Sequence, residues 1–209
     1  MDQRTVEVYQ KLALEKIKCW QEAKSNLDEV IDVAFKNSKN VLDIGFGSGR
    51  DSLYLSKNGF EVYGVDPCQA FVDEMKKIAS PDKKERFCLD SLPLLSSQGE
   101  KDFYDTIVCN AVLMHLIEDE MFEAVFSLKK ILKPSGKLFI SIPEKMEGID
   151  PKSNRTSEGL LYNLHSPYRI ASIFSPLGFI MVYKKRSQDR LNRQARIWVT
   201  MIFELDEKS

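Results

Sequence analysis

The sequence predicts an α/β fold, a Rossmann-like and mostly parallel sheet with helices on both of its faces. Short apolar runs that suit buried strands alternate with amphipathic segments that suit helices, as in repeated strand–helix units. A glycine-rich turn, with Gly45, Gly47 and Gly49, joins the first of these strands to the next helix. Because glycine lets the backbone approach a ligand closely and a helix N-terminus presents unpaired N–H groups, the turn predicts a ligand site.

Most of the predicted elements precede residue 143. Apolar residues at three- and four-residue spacing predict a helix over residues 5–35, with a weak point near Ser25 and Asn26. Strands are predicted over 41–44, 60–65, 86–89, 106–110 and 137–142, and helices over 50–57, 69–78 and 118–132. Asn58 and Gly59 suit the C-terminal end of the helix over 50–57, and Pro67 suits the start of the next.

The C-terminal part of the chain is less regular. Residues 143–165 are polar and contain Gly and Pro, which predicts a long insertion loop; such loops are usually functional or disordered. A last helix is expected over 166–175, and an antiparallel hairpin of strands over 179–185 and 195–205, with residues 187–194 at its tip. We expect one domain of 209 residues with four parts: a helical cap (1–38), a cofactor-binding core (39–142), the insertion (143–165), and the terminal helix and hairpin (166–209).

The composition argues against several classes of protein. The formal net charge of −1 provides no overall field toward nucleic acid or an anionic membrane. The first ten residues are polar, unlike a signal peptide, and no apolar run approaches the roughly 18 residues of a membrane span. The 4 cysteines are dispersed without CxxC pairs, which argues against a zinc site or a disulfide framework. We therefore expect a cytoplasmic protein with reduced thiols, no metal and no membrane partner.

The spacing of the glycine turn distinguishes between cofactors. A dinucleotide fingerprint reads GxGxxG and directs a pyrophosphate onto the helix N-terminus. Here the pattern is DxGxGxG, and the carboxylate of Asp43 before the first glycine suits a cationic ligand better than a pyrophosphate. Asp66, at the end of the second predicted strand, can accept hydrogen bonds from both hydroxyls of a ribose. Because nicotinamide enzymes use an acidic residue in the same way, Asp66 alone indicates a ribose and not one cofactor.

Six short motifs follow one another between residues 43 and 138. They are DIGFGSG from Asp43, EVYGVD from Glu61, DSLP from Asp90, FYDTIVCN from Phe103, LMHL from Leu113 and LKPSGKL from Leu132. In this order they resemble the class I S-adenosylmethionine-dependent methyltransferases. The resemblance implies a seven-stranded sheet of order 3-2-1-4-5-7-6 with strand 7 antiparallel, and S-adenosylmethionine as the cofactor, with S-adenosylhomocysteine as its product.

The resemblance also implies which residues hold the cofactor. The set is Asp43, Gly45, Phe46, Gly47, Gly49, Arg50, Asp66, Pro67, Asp90, Ser91, Asn110, Ala111 and His115. In it, Asp43 would receive the ammonium of the methionyl tail, Asp66 the ribose hydroxyls, and Asp90 the adenine amino group, with Ser91 beside the ring. Asn110 and Ala111 would lie beneath the sulfonium. Arg50 would pair with the methionyl carboxylate, although a solvated helix residue is an equal alternative.

No catalytic residue is assigned from the sequence. His115 lies among apolar residues, which suits a packed structural histidine as well as a base, and His165 is a weaker candidate. The sulfonium is already a strong electrophile, so aligning the acceptor can supply roughly 7–11 kcal/mol. Only hydroxyl or thiol acceptors would gain from a base.

The methyl acceptor is expected to be a small molecule. The strand over 106–110 lacks the Asn/Asp-Pro-Pro-aromatic motif of amino-methylating DNA enzymes, and no Pro-Cys pair supplies a cytosine-attacking thiolate. The resemblance implies a pocket covered by the N-terminal helix and the insertion. Tyr9, Trp20, Tyr162 and His165 are candidates to line it, although ordinary packing is the favoured interpretation of each.

Three alternative functions remain. Cations over 184–196 could hold RNA or a protein substrate, although a solvated hairpin tip is the favoured interpretation. A regulatory protein that binds S-adenosylmethionine without catalysis is the second. A nicotinamide oxidoreductase is the weakest, because the GxGxxG spacing is missing. The oligomeric state is not predicted.

Overall fold

A nine-stranded computed structural model describes residues 1–99, 101–191, 193 and 195–207. Its strands are β1 (Asn40–Ile44), β2 (Glu61–Asp66), β3 (Phe87–Leu89), β4 (Tyr104–Asn110), β5 (Leu132–Lys145), β6 (Ile149–Asp150), β7 (Arg155–Thr156), β8 (Phe179–Gln188) and β9 (Ile197–Leu205). Its α-helices are α1 (Gln3–Gln21), α2 (Ile31–Ala34), α3 (Arg50–Lys57), α4 (Gln69–Ile78), α5 (Glu118–Ile131) and α6 (Pro167–Phe174).

Seven of the strands form one sheet in the order β3-β2-β1-β4-β5-β9-β8. Strands β1 to β5 pair in parallel, and β9 runs antiparallel to both of its neighbours. The predicted strand order and the antiparallel last strand are confirmed. Because parallel strands end at the same edge of a sheet, the glycine turn after β1, Asp66 at the end of β2 and Asn110 at the end of β4 lie along one edge.

Helices cover both faces of the sheet, as predicted. Alternate residues of a strand point to opposite faces, so Ile107 packs with α5 and α6 while Val108 packs with α1, α3 and α4. On both faces of the sheet, the core side chains at these contacts are buried. Among the described residues, no helix combines the length and the apolar character that crossing a membrane would require.

The prediction of one helix over residues 5–35 is wrong about where that helix ends. Helix α1 ends at Gln21, and a short 3₁₀ turn (Leu27–Glu29) precedes α2. The chain leaves the helix near the weak point at Ser25, whose hydroxyl accepts a hydrogen bond from the Leu27 N–H at 3.2 Å. Such a local bond competes with helical backbone pairing, which explains the break.

The long loop predicted over 143–165 is partly structured. Strand β5 continues to Lys145 because β9 is long enough to pair with it, and β6 and β7 form a small antiparallel ribbon. Strand β8 extends to Gln188, three residues further than predicted, and β9 begins at Ile197, two residues later, so that the described residues of the tip lie between these two positions. Residues 192 and 194 of the predicted basic run lie outside the described residues.

Gly64 in β2 links the packing of the sheet to the glycine turn. A Cβ atom at Gly64 would lie 2.6 Å from Phe87 and 2.8 Å from Phe46, a side chain of the turn itself. We expect Gly64→Ala to lower the free energy of unfolding by about 1–3 kcal/mol in urea denaturation, because two packed rings would have to shift. Gly99→Ala is the control, since no atom lies within 4 Å of its Cβ position. Equal losses in the two variants would contradict this account.

Candidate functional site

A cavity lies at the carboxyl edge of the sheet, between the glycine turn, α1 and the tip of the β8–β9 hairpin. Most of the residues predicted to bind a cofactor line it: Asp43, Gly45, Phe46, Gly47, Arg50, Asp66, Pro67, Asn110, Ala111 and His115. Gly49, Asp90 and Ser91 are not among the residues that line it. The sequence pattern thus identified the cavity but not its complete lining.

The three glycines of the turn have different neighbours. All three have positive φ angles, of +67°, +53° and +75° for Gly45, Gly47 and Gly49, a conformation that side chains rarely adopt. A Cβ at Gly47 would lie 3.1 Å from the ring of Trp20, so α1 rests on the turn. A Cβ at Gly49 would lie 2.6 Å from the sulfur of Met75. Gly49 therefore allows α4 to pack closely, and only the first two glycines face the cavity.

Asp66 joins the end of β2 to the glycine turn. Its carboxylate is buried and accepts hydrogen bonds from the Gly47 N–H at 2.9 Å and the Cys68 N–H at 2.8 Å. Burial raises the pKa of Asp66 to about 7. A carboxylate offers about four accepting positions, so these two bonds leave about two for a ligand in the cavity.

Asp43 lies beside a second acidic residue, Asp51, that the sequence analysis missed. Asp43 accepts a hydrogen bond from the Ser52 hydroxyl at 2.6 Å. Asp51 accepts two from the Arg50 guanidinium, both at 2.9 Å, and one from the Asn110 amide at 2.6 Å. Arg50 is therefore half-buried and paired, because two of its guanidinium N–H groups donate to Asp51. Asp51 could have been identified from the sequence, because it is an acidic residue in the first helical turn after the glycines.

The ionisation of these two carboxyl groups differs. Burial, and then the charge of Asp51, raise the pKa of Asp43 above its usual value. Burial acts on Asp51 as well, but the hydrogen bonds and charge of Arg50 outweigh it and hold the pKa of Asp51 below its usual value. Asp51 is thus the fixed anion of the pair. Among the described residues, no group of His, Cys, Asp or Glu side chains is arranged to hold a metal ion.

Aromatic side chains form the wall opposite the glycine turn. Tyr9 contacts Trp20 and His115 edge to face, with ring centroids 5.9 and 5.5 Å apart, and His115 contacts Tyr162 at 5.0 Å. Tyr9, Trp20 and Tyr162 line the cavity as predicted. His165 does not, because it lies in a neighbouring groove beside Glu118.

The hydrogen bonds of His115 determine its tautomer. Its Nδ1 lies 2.6 Å from the carbonyl oxygen of Leu161, which can only accept, so Nδ1 carries the proton. Its Nε2 is then an acceptor, and the Tyr9 hydroxyl lies 3.1 Å from it. Burial lowers the pKa of His115 to about 4. The ring is therefore neutral at physiological pH, with its accepting nitrogen directed at Tyr9.

The prediction of a solvated hairpin tip is wrong for Asp189, Arg190 and Arg193, all of which line the cavity. Asp189 is only 6% exposed and accepts hydrogen bonds from the Arg193 guanidinium at 2.6 and 3.0 Å and from the Trp198 indole at 2.8 Å. This buried anion folds the tip back over the cavity.

Several cations of the basic run are paired with acids from other parts of the chain. Lys185 binds Glu29 at 2.7 Å, and Arg186 binds Glu144 at 2.6 and 2.7 Å. Arg190 also pairs with Glu29 and donates to the carbonyl of Ser25 at 2.9 Å. These contacts fasten the hairpin beside α2 and reduce the positive charge available to an anionic partner.

Comparison with protein-family models identifies the chain. A model described as a methyltransferase domain matches residues 19–196. The chain belongs to this family. The match confirms the resemblance to the class I S-adenosylmethionine-dependent methyltransferases that the six motifs indicated.

Curated relatives carry methyltransferase names. An uncharacterized methyltransferase of Schizosaccharomyces pombe is 29% identical over 78% of this chain and 60% of its own length. The mitochondrial ubiquinone biosynthesis O-methyltransferase of Rattus norvegicus is 30% identical over 66% of this chain and 43% of its own length. The matches thus cover 60% or less of these relatives.

Solved structures share the fold at low identity. A Burkholderia thailandensis 1,6-didemethyltoxoflavin-N1-methyltransferase, with bound 1,6-didemethyltoxoflavin and S-adenosylhomocysteine, superposes with a TM-score of 0.74 at 16% identity, covering 97% of this chain and 88% of its own. The [4+2]-cyclase SpnF superposes with a TM-score of 0.73 at 12% identity, covering 96% and 94% of the two chains. These likenesses support the fold.

The raised pKa of Asp43 predicts how stability depends on pH. The folded protein holds a proton on Asp43 that the unfolded chain has lost above about pH 4, so this group makes folding less favourable as the pH rises toward its folded pKa. We expect Asp43→Asn to raise the free energy of unfolding more at pH 8.5 than at pH 5, in urea denaturation without ligand. A gain that is the same at both pH values would contradict the assignment.

Proposed function

We propose that this protein transfers a methyl group from S-adenosylmethionine to a small molecule bound in the covered cavity. The observation that carries the proposal is the position of the Asp66 carboxylate over the glycine turn, with accepting positions left for a ligand. Two adjacent ribose hydroxyls would fill those positions. The glycines would let the cofactor pass close to the backbone.

The proposed cofactor site uses most of the predicted residues. The Asp51 carboxylate gives the methionyl end the negative character that suits an ammonium group, and an ammonium bound there would favour the ionisation of Asp43 as well. Arg50, although held by Asp51, lies near enough to the cavity to attract the methionyl carboxylate. Phe46 and Pro67 would flank the nucleoside. Ala111 has a φ of +62°, which turns the backbone at the end of β4, where we expect the sulfonium.

We leave four predicted residues, Gly49, Asp90, Ser91 and His115, out of the proposed site. Both ring nitrogens of His115 are engaged by other residues. Gly49 allows α4 to pack. The Asp90 carboxylate is used within its own loop, where it accepts hydrogen bonds from the N–H groups of Ser91 and Ser97, both at 2.7 Å. Another acceptor, or the backbone alone, would then have to recognise the adenine.

A small molecule suits the cavity better than a polymer. The α1 helix and the hairpin tip cover the cavity, whereas an RNA or protein chain would need an open surface. The ion pairs of Lys185, Arg186 and Arg190 further disfavour RNA binding by the hairpin. The names of the ubiquinone and toxoflavin methyltransferases refer to small molecules, which supports the same class of acceptor here.

Binding without methyl transfer is the second candidate, because a protein named as a [4+2]-cyclase shares the fold. The cytoplasmic location stays a prediction, and the rat relative is mitochondrial by name.

Incubating the protein with labelled S-adenosylmethionine and fractionated cell extract would distinguish methyl transfer to a small molecule from transfer to a polymer and from binding without transfer. We expect label in the low-mass fraction; label in RNA or protein would favour a polymer acceptor, and none in any fraction would favour binding without transfer.

Removing the Asp66 carboxylate tests the cofactor site. Hydrogen bonds to a charged acceptor contribute roughly 1.5–3 kcal/mol each. We therefore expect Asp66→Ala to weaken the binding of S-adenosylmethionine and S-adenosylhomocysteine at least about 10-fold in calorimetric titrations.

Asp73→Ala is the matched control, since Asp73 is exposed on α4, accepts a hydrogen bond from the Gln69 side chain and does not line the cavity. We expect this variant to bind like the wild type, and NAD(H) not to bind. Binding of NAD(H) alone, or an unchanged affinity in Asp66→Ala, would overturn the proposed site.

A further inference from the structure

Two residues of the cavity wall form a hydrogen-bonded pair that the proposed cofactor site does not use. The Tyr9 hydroxyl lies 3.1 Å from Nε2 of His115, and both residues line the cavity. We propose that this pair relays a proton away from the methyl acceptor, and that the acceptor is therefore a hydroxyl compound, such as a phenol or an enol. The inference rests on the proposed function and names the substrate class of the same site.

The hydrogen bonds give the pair a direction. Nδ1 of His115 donates to the Leu161 carbonyl, so Nε2 must accept and the Tyr9 hydroxyl must donate to it. The Tyr162 hydroxyl also shares a hydrogen bond with the Tyr9 hydroxyl. With Tyr9 donating to His115, Tyr162 occupies one lone pair of the Tyr9 oxygen and the other remains to accept a hydrogen bond from a substrate. A proton can therefore pass from a substrate hydroxyl to Tyr9 and from Tyr9 to His115. This direction suits a nucleophile that must lose a proton.

The pair lies at the end of the cavity where methyl transfer is expected. Tyr9 and Ala111 both pack against one small apolar cluster, which includes Met114 and Tyr162. Ala111 follows the last residue of β4, where the resemblance implies the sulfonium. An acceptor in contact with Tyr9 would thus lie beside the cofactor's methyl group.

The proposed step conserves charge. The acceptor oxygen uses a lone pair to form a bond to the methyl carbon while the S–CH₃ bond breaks. The electron pair of the broken bond stays on sulfur, and S-adenosylhomocysteine forms. The hydroxyl proton moves to Tyr9 as the Tyr9 proton moves to His115. One positive charge disappears from the sulfonium and one appears on the imidazole, which returns its proton to water after the products leave. Loss of the sulfonium charge thereby removes a repulsion as His115 becomes charged.

The charged groups around the pair favour a neutral hydroxyl over an amine. Asp189 is paired with Arg193, and the proposed function assigns Asp43, Asp51 and Asp66 to the cofactor, so the described lining leaves no other carboxylate for a substrate ammonium. Burial raises the pKa of both Tyr9 and Tyr162, and the positive charge of Arg193 opposes this shift only in part, so both hydroxyls stay protonated and can take part in a hydrogen-bonded chain. An aromatic amine is already the free base at neutral pH and a carboxylate is already ionised, so neither needs to lose a proton before it attacks, whereas an aliphatic ammonium would first need an anion to bind it.

The pair also fastens α1 to the sheet, and the test must separate that role from proton transfer. Arg155 supplies another fastening, since its guanidinium binds Asp2 at the start of α1 at 2.7 and 3.0 Å. Arg155 is absent from the cavity lining. Arg155→Gln therefore loosens α1 without removing a hydrogen-bonding group of either member of the pair, and it serves as the control.

Nuclear magnetic resonance of labelled histidine tests the direction of the pair without an acceptor. The chain has 2 histidines, so ¹⁵N-histidine labelling gives two rings, and His165→Gln assigns them. We expect His115 to be neutral with its proton on Nδ1 at pH 7, and Tyr9→Phe to shift its Nε2 resonance. A proton on Nε2, or a charged ring, would overturn the relay. Asp2, Asp66, Tyr162 and Arg193 are the titratable or charged groups to consider in any titration of the pair.

Release of S-adenosylhomocysteine with matched probes tests the substrate class. The probes are 3,4-dihydroxybenzoate, 4-nitrophenol and phenol, with aniline and benzoate as comparisons. We expect hydroxyl probes to be methylated, and Tyr9→Phe and His115→Asn to lower kcat roughly 100-fold or more while calorimetric affinity for S-adenosylmethionine is retained. The loss should be smallest for 4-nitrophenol, which ionises without help, whereas Arg155→Gln should keep the wild-type ratio between phenols.

The outcomes distinguish this inference from the proposed function. Failure to bind S-adenosylmethionine would count against the proposed function. A wild type that binds it but methylates only aniline or benzoate, or none of the hydroxyl probes, would overturn the hydroxyl assignment. An unchanged kcat in Tyr9→Phe and His115→Asn would show that the pair has only a structural role. The same conclusion would follow if kcat fell equally for all phenols and Arg155→Gln caused the same loss.

Discussion

The hydrogen bond from the Gly47 N–H to the Asp66 carboxylate joins the turn after β1 to the end of β2, and the geometry of the site depends on it. The parallel sheet makes the bond possible because both strands end at one edge. Burying the carboxylate is unfavourable, as its raised pKa shows. Two backbone N–H groups compensate in part, and ribose hydroxyls would add further donors where water has been excluded.

The cover over this edge is built from segments far apart in the chain. Trp20 of α1 rests on the glycine turn, and Arg190 of the hairpin tip pairs with Glu29. Asp189, buried under Arg193 and the Trp198 indole, holds the tip in place. The same cover encloses the cofactor end and the Tyr9 end of one cavity. A small acceptor could therefore be aligned with the methyl group and shielded from water, which is the main contribution that a reactive sulfonium requires.

Local sequence patterns predicted the fold and the edge of the sheet, but not the long-range contacts of the site. Alternating apolar runs and ordered motifs indicated the strand order and Asp66. The bond between Tyr9 and His115 spans 106 positions and that between Arg190 and Glu29 spans 161, so no spacing rule could identify either. The bonds from Ser91 and Ser97 to Asp90 are local, and the serines after that aspartate were a readable signal.

A crystal structure with S-adenosylhomocysteine would test the central claim most directly. The account predicts that both ribose hydroxyls lie within hydrogen-bonding distance of the Asp66 carboxylate. It also predicts that the amino-acid end lies near Asp43 and Asp51, and that the sulfur faces the Tyr9 hydroxyl across an acceptor-sized space. A ribose bound away from Asp66, or a ligand outside the cavity beneath α1 and the hairpin, would contradict it.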